Sequence, residues 1–213
     1  MIRLACKNAC GGVGWGFAMR RRTRTVIVPM LAVLAALLGA GSVSATGSPS
    51  TPLPAHGFCG GSSLRPTTRN LSRVVGATLC LIEREREIHH LDPLRLNRSL
   101  QQIAVNQTMD MVLGDYFGDN SLAGGTPWQR ITASPYAVGA RSLSTAQNIG
   151  WGTAALATPQ AMVEGWMLSP PHRRIVLTGA YRDIGVGVAP AAPSSLTDGL
   201  PGATYTVEFA NRR

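Results

Sequence analysis

Ser169 and His172, three residues apart in the stretch Trp166-Met167-Leu168-Ser169-Pro170-Pro171-His172-Arg173, could pair as nucleophile and general base. No Gly-x-Ser-x-Gly elbow surrounds Ser169, and no acidic residue in the sequence identifies itself as the orienting partner of the imidazole. The alternative role for His172 is a local one, capping backbone just after two prolines. His89 and His90 are adjacent, so on a helix they point in different directions and do not make a metal pair. They read as a helix end, where partial positive charge suits the dipole. Cys59 and Cys80 are an even pair, and in an exported chain they predict one disulfide; no CxxC pair supports a redox or zinc-thiolate site.

The elements that must position these groups begin only after a leader. Met19-Arg20-Arg21-Arg22-Thr23-Arg24 is a basic n-region, Val26 to Ala40 is apolar, and Val43-Ser44-Ala45 supplies small residues for cleavage after Ala45. Residues 1–45 are therefore expected to be an N-terminal extension and signal peptide, with Met19 the better start, and the product to be secreted. The apolar run is shorter than the roughly 20 residues a membrane span needs, so no transmembrane span is expected after cleavage. Six of the 20 basic residues and none of the 11 acidic ones precede the cut, leaving 14 against 11. The mature charge of about +3 does not argue for nucleic acid as a partner.

Residues 46–68 are rich in Gly, Ser, Pro and Thr and read as a flexible arm, with His56 in it. Residues 69–213 suffice for one compact domain. A helix is expected from about Leu71 to His90, with Val74, Val75, Ala77, Leu81 and Ile82 apolar and the alternating charges Glu83 to Glu87 forming a solvated face. Asn97 or Ser99 can cap a second helix. Thr126-Pro127-Trp128-Gln129 offers a capping box for a third, and Thr158-Pro159 opens a fourth. Trp128 and Trp166 are expected in the core. Ile184, Val186 and Val188 alternate with glycines, and Tyr205, Val207 and Phe209 alternate with Thr204, Thr206 and Glu208. They read as a hairpin with a long connection, with a possible third strand from Ala146 to Gly152. Helices followed by a small antiparallel sheet give an α+β layered domain.

Several stations in order then resemble the CAP superfamily of cysteine-rich secretory, antigen-5 and pathogenesis-related proteins, in its bacterial secreted, SCP-like branch. They are Glu83-Arg84-Glu85-Arg86 with Leu91-Asp92-Pro93-Leu94, Asp110-Met111 with Tyr116-Phe117, and Gly125 to Ile131. Gln147-Asn148-Ile149, Trp166 to Arg173 and Ile184 to Gly187 complete the series. Glu83 stands in the family's Asn place and His90 in its Gly place. The resemblance implies an α-β-α sandwich over 69–213, a small antiparallel sheet flanked by helices.

The resemblance also implies a central cleft with two His and two acidic side chains, which in some members binds a divalent metal. Carried over, these positions are Asp119, Gln147, Ser169 and His172, with Asn148 beside Gln147; the first His and both acids are replaced here. Only Asp119 and His172 remain as weak candidate ligands, fewer than the three or four His, Cys or carboxylate groups of a tight zinc site, so no metal cofactor is expected. The implied function is a secreted protein with a degenerate, metal-free cleft that binds a lipid or amphipathic small molecule, or an extracellular or cell-surface protein. A protease-like hydrolase using Ser169 and His172, and a scaffold without cleft function, are the alternatives. Enzyme activity is left open, with the missing parts weighing against it.

Overall fold

The computed structural model describes residues 3–5 and 58–213. The expected start at Met19, the cut after Ala45 and most of the arm, including His56, lie outside the described residues. Among the described residues five α-helices and five strands follow in chain order: β1 (Arg3–Ala5), α1 (Leu71–Ile88), β2 (Arg95–Leu96), α2 (Arg98–Leu113), α3 (Pro127–Thr132), β3 (Leu143–Thr153), α4 (Pro159–Leu168), α5 (Pro170–Val176), β4 (Asp183–Ala189) and β5 (Gly202–Arg212). No helix among the described residues is long and apolar enough to cross a membrane.

The helix starts carry local chemistry. The Asn97 side chain accepts from the Ser99 and Leu100 amides and caps α2. Thr126 and Gln129 close a capping box at α3, and Thr158 caps α4. Helix α5 was not foreseen. Its Pro170-Pro171 start resembles a break, yet proline is favourable in the first turn, where an N–H would have no partner anyway. Ser169 thus ends α4 and begins α5.

The sheet runs in the order β1-β3-β5-β4-β2. Strands β3 and β5 pair antiparallel along their full length, from Leu143↔Arg212 to Thr153↔Gly202, and β4 pairs antiparallel with β5. Strand β1 adds antiparallel to β3, while the two-residue β2 lies parallel to β4, a departure from the all-antiparallel expectation. One face carries the main core, where Val74 and Ile82 of α1 and Met162, Val163 and Trp166 of α4 pack with Val186, Tyr205, Val207 and Phe209. Helix α2 covers the other face so closely that a Cβ at Gly185 or Gly187 would collide with the backbone at Leu100 and Ala104. The alternation in β5 therefore does not divide core from solvent. Thr204, Thr206 and Glu208 are fully buried beneath the α2 layer, where Thr108 Oγ1 lies 2.8 Å from Thr206 Oγ1.

Other expectations are corrected. Arg86, assigned to a solvated face, is fully buried. Its guanidinium donates to the carbonyls of Asp92, Val176 and Thr178, tying α1 to the chain just after it and to the end of α5. Glu83 accepts from the Leu94 amide, so it too holds the chain after α1 rather than facing water. Trp128 is 46% exposed rather than core, because α3 is a short edge helix that turns Pro127 and Ile131 inward; Trp166 is buried. His90, in the family's Gly place, takes the left-handed conformation with φ 55° just past α1.

The Cys59–Cys80 disulfide is formed, with Cα atoms 5.7 Å apart. Residues 59–64, the end of the expected arm, follow a defined turn. Ser62 accepts from the Gln160 amide of α4, and Leu64 packs on the core.

Candidate functional site

The sequence-derived site residues fall into two connected groups. In the first, Asp119 sits in the loop after α2, buried at 5% exposure. That loop is held by side chains around it. Gln107 donates to the Gly118 carbonyl, and Asp110 accepts from the Tyr116 hydroxyl and the Leu122 amide. The Tyr116 hydroxyl is pushed up to about 12 by burial and then by Asp110. At the centre stands Arg130 of α3, whose guanidinium donates to the carbonyls of Gly125 (2.7 Å) and Asp119 (2.9 Å). The same guanidinium donates to Gln147 Oε1 on β3 at 2.9 Å.

A group that sequence reasoning missed completes this cluster. Glu208 of β5 is the register partner of Gln147, so the two side chains leave the same face of the sheet. A Glu208 carboxyl oxygen lies 4.0 Å from Arg130, too far for a direct hydrogen bond. Complete burial pushes the Glu208 carboxyl up to about 8; Arg130 opposes that shift and Asp119 adds to it. Burial therefore outweighs the guanidinium, and the carboxyl is largely protonated at neutral pH. Burial likewise lowers the Arg130 guanidinium, against the pull of Glu208. The signal for Glu208 was present in its charge on a strand whose neighbours are apolar.

The second group is at the α4–α5 junction. Ser169 Oγ and His172 Nδ1 are 2.7 Å apart, so a hydroxyl and an imidazole do meet there. His172 is buried and its backbone carbonyl accepts from Asn148 Nδ2 at 3.2 Å. Asn148 thus pins α5 to the sheet from the face opposite Gln147, and the adjacent pair Gln147-Asn148 joins the two groups through β3. Chemically, one group is a half-buried guanidinium bonded to an amide and backbone carbonyls with a carboxyl 4.0 Å away, and the other a hydroxyl–imidazole pair.

The donor set is a poor match for a divalent metal. Among the described residues, no three His, Cys, Asp or Glu side chains converge to hold one. The position beside Gln147 is taken by a guanidinium, a fixed cation that repels a second.

Comparison with known proteins agrees with this architecture. The sequence profile of the cysteine-rich secretory protein family, CAP, matches residues 79–207, more than half of the chain. The chain is similar to an uncharacterized protein of Bacillus subtilis, YkwD, at 30% identity over 107 residues, covering 50% of this chain and 39% of the relative. It therefore spans about two-fifths of that curated relative's length. Among solved structures it is similar to an extracellular SCP-domain protein of Bacillus anthracis, with TM-score 0.50 and 22% identity, covering 68% of this chain and 43% of that one. It is also similar to an outer surface protein of Borrelia burgdorferi, with TM-score 0.52 and 19% identity, covering 70% and 96%. At these identities the structural likeness concerns the fold.

Proposed function

The chain belongs to the cysteine-rich secretory protein family, and from that premise we propose that it is an exported, non-enzymatic binding protein with a metal-free cleft. The ligand is a lipid-like or amphipathic small molecule. Export is supported by the signal-like N-terminus and by relatives described as extracellular or outer-surface proteins. The observation that carries the reading is Arg130, whose hydrogen bonds to Gln147 and to the Asp119 and Gly125 carbonyls build a fixed cation into the cluster. The exposed apolar side chains of Leu122, in the Asp119 loop, and Trp128, on the helix of Arg130, support an amphipathic ligand.

The test is displacement of a fluorescent long-chain fatty acid from the purified protein. The expected result is saturable binding, unchanged by EDTA or added Zn²⁺ and weakened in Trp128→Ala and Leu122→Ser. Binding abolished by EDTA would overturn the metal-free cleft. No saturable binding to any lipid class would leave a protein partner or a scaffold role. The 2.7 Å Ser169–His172 contact favours a second reading, a hydrolase with Ser169 as nucleophile and His172 as base.

A further inference from the structure

Five buried polar atoms gather behind the Asp119 loop and make no hydrogen bond within the protein: both carboxyl oxygens of Glu208, Nε2 of Gln147, Nε of Arg130 and Oε1 of Gln107. Buried polar groups are almost always partnered, so such a concentration in one place needs a reason. With Glu208 protonated the set mixes three donors with two acceptors, and with Glu208 ionised two donors with three acceptors; it is bounded by α2, α3, β3, β5 and the 118–119 backbone. Gln107 and Arg130 grip adjacent carbonyls of that backbone, Gly118 and Asp119. Among the described residues Arg130 is hydrogen-bonded to the sheet through Gln147, and the Glu208 carboxyl lies 4.0 Å away.

We propose that Glu208 and Arg130 form a proton-controlled latch that sets the position of the 118–125 loop. With Glu208 neutral, the guanidinium is shared between the loop carbonyls and the neutral Gln147 amide. When Glu208 loses its proton to solvent, its carboxylate draws the guanidinium across the 4.0 Å gap into a charge-assisted hydrogen bond. The Asp119 and Gly125 carbonyls must then follow Arg130 or release it. The charges acting on Glu208 are Arg130 from α3 and Asp119 from the loop, and their opposite signs leave burial dominant. Asp110, in the last turn of α2, and Tyr116, in the loop after it, act on Arg130. Elsewhere α2 offers uncharged Gln107 and Thr108, β3 offers Gln147, and the β4 partner of Glu208 is Gly185.

The functional consequence, access to a cleft walled by this loop, rests on the binding reading above; the latch itself does not. The test is carbon-detected NMR of the purified full chain between pH 5 and 10, following the Glu208 carboxyl and the amides of Gly118, Gly124 and Gly125. The expected result is a common titration with a midpoint near 8, absent from the amides in Glu208→Gln. A wild-type Glu208 carboxyl titrating below pH 6, or amide shifts that persist unchanged in Glu208→Gln, would overturn the latch. Should Glu208→Gln fold poorly, Gln147→Glu serves instead. A carboxylate placed within 2.9 Å of Arg130 Nη2 should compete for it and displace the amide titration from its wild-type midpoint. An unmoved midpoint in that variant counts against the latch. Amide titration without fatty-acid binding would support the latch while defeating the cleft reading, and binding without titration would do the reverse.

Discussion

At the scale of single residues, buried charge decides more than any motif. Glu208 has an ordinary carboxyl pKa of 4.5 in the unfolded chain and about 8 in the folded one, so the folded state holds its proton longer. The resulting destabilisation is absent below about pH 4.5, grows as the unfolded chain ionises, and is constant above about pH 8. Glu208→Gln, which keeps the neutral shape, should therefore change little at pH 4 and stabilise the fold by on the order of a few kcal/mol at pH 9. Urea denaturation at both pH values checks this, and a gain larger at pH 4 would refute the assignment. Ser169 and His172 supply the second prediction. In the binding reading, purified wild type and Ser169→Ala turn over chromogenic esters at the same background rate. Wild-type turnover that falls by a factor of about 100 in both Ser169→Ala and His172→Ala would establish the hydrolase instead. His172 and Ser169 were legible because their spacing is local. Glu208 and Arg130 were not, since their meeting depends on register between strands and on where α3 lies.

Secondary-structure elements were read best where the signal is short-range. The Thr126 capping box and the Asn97 and Thr158 caps are visible in four-residue windows, and each takes the form its residues dictate. Thr126→Ala should cost about 1 kcal/mol by urea denaturation and, because α3 carries Arg130, should also raise hydrogen exchange in the 118–125 loop. An unchanged loop would mean that Arg130 is held without help from its helix. Periodicity was less reliable. The alternation in β5 looks like a half-solvated strand, but α2 covers its polar face, and only the glycines at 185 and 187 of the neighbouring strand record how closely that helix lies. In the sequence those glycines simply alternate with Ile184, Val186 and Val188, and their purpose is invisible until the second layer exists. Gly187→Ala should push α2 off the sheet and cost about 3 kcal/mol or more, against a few tenths at exposed Gly60, where a Cβ meets nothing.

Across the whole molecule, remote segments converge on α1 and α4. Arg86 binds carbonyls about ninety residues away, and Cys80 carries the disulfide to Cys59. The disulfide was legible from cysteine count and the expectation of export, but what it secures was not. It fixes a turn whose Ser62 carbonyl meets the Gln160 amide and whose Leu64 covers core, so what reads as the end of an arm forms part of the domain's wall. In the chain-entropy model, closing a loop between residues 21 apart contributes about 3 kcal/mol. For a domain of this size, Cys59→Ser with Cys80→Ser should lower the Tm by roughly 6–12 °C. The loss should also be uneven. Hydrogen exchange is expected to accelerate first at Leu64 and Gln160, whose amides close the turn, while β5, buried between two layers, keeps its protection to the point of global unfolding. Uniform loss of protection would mean that the disulfide acts on the unfolded chain alone. A selective loss would identify the turn as a unit that can detach while the Arg130 cluster, on the opposite side of the sheet from α1 and α4, remains in place.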